Sequence, residues 1–451
     1  METAEASARR FCGLGWAVAE LPFPCPRGSG NLCGVDYGGN SLIKLLHTAD
    51  LHLDSPLRSL ALKDERLREQ VQMASRAALE RMVRFAIDEG VAALLIAGDL
   101  FDGQERSAKT AAYLAGQLER LGAAGIAVFY IKGNHDAENP VTGEIALPGN
   151  VHIFDGRGGK QQIAGHDVWI HGVSFRDKHA PESLLSKFDA PVAGAVNIAM
   201  LHSSLTGAAG HDPYAPCSVA ELSAMGFDYW ALGHVHKRQV HSTEPFIVMP
   251  GIPQGRDIGE AGPKSATLIT IEDGKIGIEE VLTSLVEFRE SVLSVDGADE
   301  DDLRRALKAH LEAEASASVS EAAILRLTLA GMSPRAWQIR RDRDMWVETA
   351  QEFAAGTGRI WIEKLRLEIE APRAVGAGDA VSELADLMGE IGGDAGYLAA
   401  ARAEVEQMIG LLPADRRREI MPDEASVEAL ITTISQEAAL MMVAKMKGVA
   451  S

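Results

Sequence analysis

The sequence predicts a layered α/β fold, and three features of its 451 residues support this prediction. From Leu42 onward, short apolar runs that suit buried strands alternate with segments whose apolar residues recur at helical spacing. Several of these runs end in Asp, Asn or His, as strands do when an open α/β sheet carries a site at its edge. The length favours two or three domains, because one domain commonly spans about 100 to 200 residues.

The predicted elements follow one another in a regular order. A short strand over 43–47 precedes an amphipathic helix over 65–89. Buried-type strands come next, over 92–97, 126–131, 168–173, 197–201, 229–232 and 246–249. A β-hairpin over 266–271 and 275–282 turns at Asp273-Gly274. We therefore expect the first domain to cover residues 42–285.

The remainder of the chain predicts two smaller regions and a leader. A helix over 301–315 and strands over 322–329 and 360–369 indicate a small α/β domain, assigned to residues 286–375. Residues 376–451 are predicted to be helical, with breaks at Gly392-Gly393 and Pro413. Residues 1–41 are rich in Gly, Pro and Cys and lack periodicity, so we expect a disordered leader there.

Charge and cysteine content narrow the class of protein. The formal net charge is −20, which argues against a protein that coats nucleic acid through a basic face, but not against an enzyme that meets phosphates through metal ions. Four cysteines, without CxxC spacing, favour neither a zinc site nor a disulfide framework. No run of about 18 uncharged apolar residues occurs, so we expect no membrane span. Reduced thiols in the cytoplasm are the preferred interpretation.

Five blocks carry the chemistry: Asp50-Leu51-His52, Gly98-Asp99, Gly133-Asn134-His135-Asp136, His202 and Gly233-His234-Val235-His236. Any one of them alone is more often an ordinary loop, but the five together predict a two-metal centre. Paired divalent metals need oxygen and imidazole ligands and a bridging carboxylate. We assign Asp99 to the bridge, because a carboxylate offers one oxygen to each metal. The other ligands divide into two sets: Asp50, His52 and His236 for one metal, and Asn134, His202 and His234 for the other.

The spacing of the blocks supports two further expectations. In Asp50-Leu51-His52 and His234-Val235-His236 the ligands stand at i and i+2, so an extended backbone would direct both to one side. His135 directly follows a ligand and should point elsewhere in the same cleft. That position suits a general acid that protonates the leaving oxygen.

At these residues the chain resembles the calcineurin-like metallophosphoesterase superfamily over about 42–285. Within it, the segments 46–54 (LHTADLHLD) and 98–102 (GDLFD) resemble the DNA double-strand-break repair nucleases of the SbcD group. The segments 211–217, 229–236 and 250–256 are similar to the YhaO-like bacterial branch of that group. The resemblance implies a four-layer α/β/β/α sandwich, two divalent metal ions of the manganese type, and the ligand roles given above.

The resemblance also implies partners. In the nuclease group a small cap helps to select DNA, a C-terminal helical part docks an SMC-like coiled-coil ATPase, and dimerisation lets two active sites straddle DNA. The last helix here carries an apolar stripe that starts at Val427, for which packing on its own domain is preferred over a partner site. Arg256 could bind a substrate phosphate or form a surface salt bridge. The next residue, Asp257, departs from the histidine that the family pattern favours.

The leading hypothesis is two-metal phosphodiester hydrolysis by a DNA exonuclease or endonuclease in DNA repair, working with the coiled-coil ATPase. Two alternatives stay open. One is a phosphodiesterase or phosphatase acting on small nucleotides, since the same blocks serve that chemistry. The other is a non-catalytic scaffold subunit, which the full ligand set disfavours.

Overall fold

The computed structural model describes residues 42–55, 65–101, 107–138, 147–178, 180–205, 214–371, 380–413, 417, 421 and 423–449. The predicted leader over 1–41 and residues 211–213 of the family-like loop lie outside these residues.

Two six-stranded sheets form the larger part of the protein. The first contains, in spatial order, β12 (Lys275–Leu282), β11 (Ser265–Glu272), β1 (Ile43–Thr48), β2 (Ala93–Ala97), β3 (Ala127–Ile131) and β4 (Val151–Ile153). The second contains β5 (Gly159–Gln162), β6 (Val168–Val173), β7 (Val196–His202), β8 (Tyr229–Gly233), β10 (Phe246–Met249) and β9 (Gln239–Thr243). The run β1-β2-β3-β4 is parallel, and so is β6-β7-β8-β10. Each run therefore has its carboxyl ends at one edge.

The sheets stack with helices outside them. α1 (Glu65–Asp88) and α2 (Ala108–Ala123) pack on the first sheet through Met82 and Leu114, in one core with Leu94 of β2. A second core lies between the sheets and includes Leu95 and Ile198. Two further α-helices among the described residues of this region are α3 (Asn134–Glu138) and α4 (Val219–Ala224), and Leu222 of α4 packs with Trp230 on the second sheet. The predicted four-layer α/β/β/α class is confirmed.

Local sequence explains where these elements begin and end. Strand β2, Ala-Leu-Leu-Ile-Ala, is buried along its whole length, as expected for a parallel strand covered on both faces. Ser107 caps α2 by accepting a hydrogen bond from the Thr110 main-chain N–H at 3.2 Å. The predicted hairpin is confirmed, and its turn residues Asp273 and Gly274 have φ of 52° and 72°.

A third sheet follows, formed by the parallel strands β13 (Val286–Ser294), β14 (Ala322–Met332) and β15 (Ile360–Glu370). The chain crosses from β13 to β14 through α5 (Glu300–Ala317), and from β14 to β15 through α6 (Ala336–Arg341) and α7 (Arg343–Thr357). Leu303, Leu307 and Leu311 of α5 are buried in the core under this sheet. The predicted helix and the two predicted strands are confirmed, while β13 was not predicted.

Three helices end the described chain: α8 (Ala380–Gly392), α9 (Ala395–Gly410) and α10 (Glu424–Val449). The predicted stripe of α10 is only partly covered. Val427 and Ile431 are buried, but Met441 and Met442 are 46% and 55% exposed. By length and composition, the segment Glu424–Met446 could cross a membrane, as core helices of globular proteins also could. Glu428 and Glu437 interrupt this segment, so it contains no uncharged apolar run of the length that the sequence criterion required.

Candidate metal centre

The carboxyl ends of five strands bring all seven predicted ligands to one place. Asp50 and His52 follow β1, Asp99 follows β2, Asn134 follows β3, His202 ends β7, and His234 and His236 follow β8. The first five are buried, and the last two are half-buried. Because both parallel runs end at this edge, each loop adds its polar residues to one cluster.

These side chains form two groups that could each hold a metal ion. In the first, the ligand atoms of Asp50, His52 and His236 all lie within 4.8 Å of one another. In the second, the same holds for Asp99, His202 and His234. Asn134 adds a neutral oxygen to the second group, with its Oδ1 at 3.1 Å from His202 Nε2. Mixed imidazole and oxygen donors of this kind suit divalent transition metals.

Asp99 lies between the two groups. Its Oδ2 is 3.3 Å from His202 Nε2 in one group and 3.9 Å from His52 Nε2 in the other. Burial alone would raise the pKa of Asp99, but the positive charge and hydrogen bond of His202, together with His52, hold the pKa well below its usual range. This buried carboxylate therefore stays charged and requires positive partners, and a metal on each side would satisfy that requirement.

The main chain around the ligands adopts an unusual conformation. Four of the ligands have positive φ: Asp50 (54°), His52 (41°), Asp99 (52°) and His234 (101°). Positive φ is uncommon for residues other than glycine, and where it accumulates it marks functional sites. The expectation of an extended backbone at Asp50 and His52 was therefore wrong. Their side chains still meet in one group. The turn of the loop brings them together, and the alternation of side chains along an extended strand plays no part.

Hydrogen bonds between loops hold this conformation. The main-chain N–H of Asp50 donates to Gly98 O at 2.9 Å, and that of His234 donates to Asp50 Oδ2 at 2.9 Å. The buried Asp136 carboxylate accepts from the main-chain N–H groups of Leu100, Phe101 and Gly133, at 2.9 to 3.1 Å. Asp136 thus ties the loop of Asp99 to the loop of Asn134. Burial and the nearby Asp99 charge raise the pKa of Asp136 to about 6.

A glycine precedes three of the ligands and leaves space for the cluster. A Cβ on Gly98 or Gly233 would collide with the His202 ring, and one on Gly133 would collide with the Asp99 carboxylate. Nothing larger than glycine fits these positions without displacing a ligand. The sequence showed these glycines as part of the blocks, but not that they make room for the neighbouring side chains.

Replacing Gly233 by alanine is therefore expected to displace His202. The added methyl group would meet Ala97 O and the His202 ring, and such overpacking costs about 1–3 kcal/mol. We expect a lower thermal midpoint and reduced metal content, both measured on the purified protein. Gly116→Ala is the matched control, because a Cβ on that α2 glycine meets nothing within 4 Å. Equal metal content in both variants would contradict the steric role.

Two histidines are oriented by hydrogen bonds on the far side of their rings. His202 Nδ1 lies 2.9 Å from Ala97 O, and a carbonyl can only accept, so Nδ1 carries a proton. Nε2, which faces Asp99 at 3.3 Å, can bind a metal once its own proton is displaced. His236 Nδ1 lies 2.6 Å from Glu260 Oε1, which fixes the same tautomer. Glu260 is thus part of the site, although the sequence analysis did not identify it.

Arg256 holds Glu260 in this position. Its main-chain N–H donates to Glu260 Oε2 at 2.7 Å, and its guanidinium Nη2 donates to Oε1 at 2.9 Å. Burial would raise the pKa of Glu260, but the hydrogen bond from His236 and the Arg256 charge lower it to about 2. Arg256 thus forms the salt bridge that was the alternative to phosphate binding, and its role toward substrate stays a prediction. Asp257, at the divergent position, caps the next turn by accepting from Gly259 N–H at 2.8 Å.

Removing Glu260 is expected to weaken metal binding by about 10- to 100-fold, because it fixes the His236 ring. We expect Glu260→Ala to show this loss in a metal titration, while Glu260→Gln retains part of the affinity because its amide oxygen can still accept from Nδ1. Glu279→Ala, at an exposed position on β12, is the matched control. Wild-type affinity in Glu260→Ala would show that the hydrogen bond to His236 is dispensable.

His135 lies beside the cluster but in neither candidate group. Its main-chain N–H donates to Asp99 Oδ1 at 2.9 Å, and its ring meets the His52 ring edge-on with centroids 4.9 Å apart. The structure thus brings together all the predicted metal ligands and places His135 next to them. Its role as an acid stays a prediction.

Comparison with known proteins agrees with this geometry. Residues 43–238 match the family described as calcineurin-like phosphoesterase, and residues 288–370 match the one described as metallophosphoesterase YhaO, middle domain. The uncharacterized metallophosphoesterase YhaO of Bacillus subtilis is 37% identical over 242 residues, which is 52% of this chain and 59% of that protein. The resemblance stated from the sequence is confirmed.

Proteins with a named biological role are more distant. The DNA double-strand break repair protein Mre11 of Methanopyrus kandleri is 26% identical over 298 residues, covering 59% of this chain and 62% of that protein. The protein of the same name from Methanocaldococcus jannaschii is 29% identical over 157 residues, covering 32% and 40%. The matches thus span less than two thirds of the length of each of these relatives.

Proposed function

Residues 43–238 of this chain form a calcineurin-like phosphoesterase domain, and from this membership we propose that the protein hydrolyses phosphodiester bonds in DNA with two divalent metal ions, Mn²⁺ by preference. The observation that carries the proposal is the pair of three-residue groups with the Asp99 carboxylate between them. A bridging carboxylate between two cation sites is the arrangement that two-metal hydrolysis requires.

The residues have distinct roles in this proposal. Asp50, His52 and His236 would hold one ion, Asn134, His202 and His234 would hold the other, and Asp99 would serve both. When bound, the two ions polarise the phosphoryl oxygen and lower the pKa of bound water toward neutrality. Glu260 and Ala97 O orient His236 and His202 from behind, so that the Nε2 atoms face the ions.

His135 supplies the proton for the leaving oxygen. Its main-chain hydrogen bond to Asp99 holds it directly beside the proposed bridging carboxylate, and its ring packs edge-on against the His52 ring. A positioned imidazole is well suited to this transfer because its ordinary pKa lies near neutrality.

The choice of DNA rests on the similarity to proteins named for DNA double-strand break repair, over 59% of this chain for the one from Methanopyrus kandleri. We extend the proposal to a coiled-coil ATPase of the SMC kind as partner, and to a homodimer as the working state. Exposed apolar residues of the C-terminal helical region support a protein partner, among them Met408, Leu411 and Met442. The free, buried Cys217 fits the reducing cytoplasm.

A substrate panel tests the proposal. Purified protein with Mn²⁺ is given linear double-stranded DNA, single-stranded DNA and cyclic nucleotides, with and without the ATPase. We expect shortening of DNA that stops on chelation with EDTA. Hydrolysis of cyclic nucleotides without any attack on DNA would favour the small-nucleotide enzyme. A protein that binds two metals yet cleaves none of these substrates would favour the scaffold.

A further inference from the structure

A groove whose lining contains none of the metal-centre residues lies between the last strand of the third sheet and the last helix. It has a volume of about 540 Å³, within the range of small-molecule sites. One wall is β15, where Lys364, Arg366 and Glu368 alternate along the strand. The other wall is α10, where Thr433, Glu437 and Met441 stand one turn apart. Two arginines of α6 and α7, Arg340 and Arg343, complete the lining.

The groove carries an excess of positive charge in a protein whose net charge is −20. Four cations line it (Arg340, Arg343, Lys364 and Arg366), against the carboxylates of Glu368 and Glu437. Arg340 and Arg343 donate hydrogen bonds to main-chain oxygens of β15, at 2.6 Å and 3.3 Å, so their charges are not neutralised by these bonds. Glu437 offsets part of the Arg340 charge.

Carboxylates neutralise the other two cations of the groove, Arg366 and Lys364, no more fully. Arg366 forms an ion pair with Glu290 at 4.0 Å, and Lys364 forms no ion pair with any described residue. Arginines elsewhere in the chain are paired closely, as Arg289 is with Glu314 at 2.8 Å and Arg326 with Glu363 at 2.9 Å. Guanidinium groups that line a cavity and are only weakly paired with carboxylates are typical of sites for phosphate or carboxylate ligands.

The lining is not only charged. Met441 of α10 is 46% exposed and contributes apolar surface, and a methionine thioether packs well on aromatic rings. A ligand that matches both the cations and the apolar surface of the groove has an anionic group and a flat or apolar body. We propose that this groove binds an organic phosphate with an aromatic body, the class to which 5′-nucleotides belong. The site goes beyond the proposed phosphodiester hydrolysis, because the metal centre contributes nothing to it.

Photolabelling locates the site directly. The full-length, metal-loaded protein is irradiated with 8-azido-dAMP, and the labelled peptides are identified by mass spectrometry. We expect label within residues 360–370 of β15 or 433–441 of α10. Excess dAMP should compete for this label, whereas deoxyadenosine, which lacks the phosphate, should not. Peptides of the metal centre report any binding there separately, so failure of one site is distinguishable from failure of the other.

Charge reversal tests the role of the cations. Lys364→Glu combined with Arg366→Glu should reduce groove labelling by about tenfold or more, since each lost charge-assisted contact is worth about that factor. Thr433→Glu, on the helix wall, should reduce it without altering the sheet. Arg305→Glu combined with Lys308→Glu, at exposed positions of α5, is the control and should label as wild type. Label confined to the metal centre, label unchanged by either groove variant, or equal competition by deoxyadenosine would each overturn the proposal.

Discussion

Replacing Asp99 by alanine is expected to remove both bound metal ions and to lower the rate of phosphodiester cleavage on the order of a thousandfold or more. The reason is the position of this carboxylate, whose Oδ2 lies 3.3 Å from His202 Nε2 and 3.9 Å from His52 Nε2. Without it, two cations would face each other with no negative charge between them. Elemental analysis of the purified variant and a DNA cleavage assay measure the two effects.

Two further variants sharpen the test of Asp99. Asp99→Asn keeps an oxygen that can accept from His135 N–H but removes the charge, so it should fold normally and still lose metal. Asp155→Ala, an exposed carboxylate that pairs with Arg157, is the control and should keep two metals per chain. Two metals per chain in Asp99→Ala would show that the bridge lies elsewhere.

Replacing His135 by alanine should also lower activity, but without any loss of metal. We expect cleavage to fall by about 100- to 10,000-fold, the range for loss of a general acid, while both metals stay bound. The structure supports retention of metal because His135 belongs to neither ligand group. Parallel metal analysis and single-turnover cleavage separate this variant from those of the ligands.

The choice of substrate sharpens the test of His135. An oligonucleotide ester with a good leaving group, such as p-nitrophenolate, needs no proton and should be cleaved almost normally by His135→Ala. His166→Ala, on a surface turn of the second sheet, is the control. An equal loss on both substrates would assign His135 a role other than proton donation.

The strand-end positions of the predicted ligands could be recognised in the sequence because buried parallel strands appear as apolar runs. Once β2 is recognised as Ala93–Ala97, the position of Asp99 at the carboxyl edge follows from the class of fold. The small α/β domain was recognisable for a related reason, since its helix and strands have clear periodicity. The domain limits at residues 285 and 375 stay predictions.

Other features depend on contacts that a single sequence does not reveal. Glu260 lies 24 residues beyond His236 in no recognised block, and only the folded loop brings the two within 2.6 Å. In the sequence, only the position of Glu260 four residues after Arg256 hinted that the two side chains pair. The positive φ at Asp50 and His52 arises from hydrogen bonds to a different loop, so local spacing suggested the wrong backbone. Periodicity likewise predicted an apolar face on α10 but not what covers it.

The loop that carries Glu260 is fastened to the beginning of the third sheet. The buried Gln254 side chain accepts from Leu285 N–H at 2.9 Å and donates to Val286 O at 2.7 Å. Gly262 N–H donates to Phe288 O at 2.8 Å, and Ile258 packs into the core formed by Val286 and Phe288. The support for His236, a predicted metal ligand, thus crosses the domain limit predicted near residue 285. The predicted metal centre is therefore not a transferable module: a recombinant fragment that stops near residue 285, or a chimera with a foreign second domain, would keep every predicted metal ligand and still lack the contacts that orient one of them.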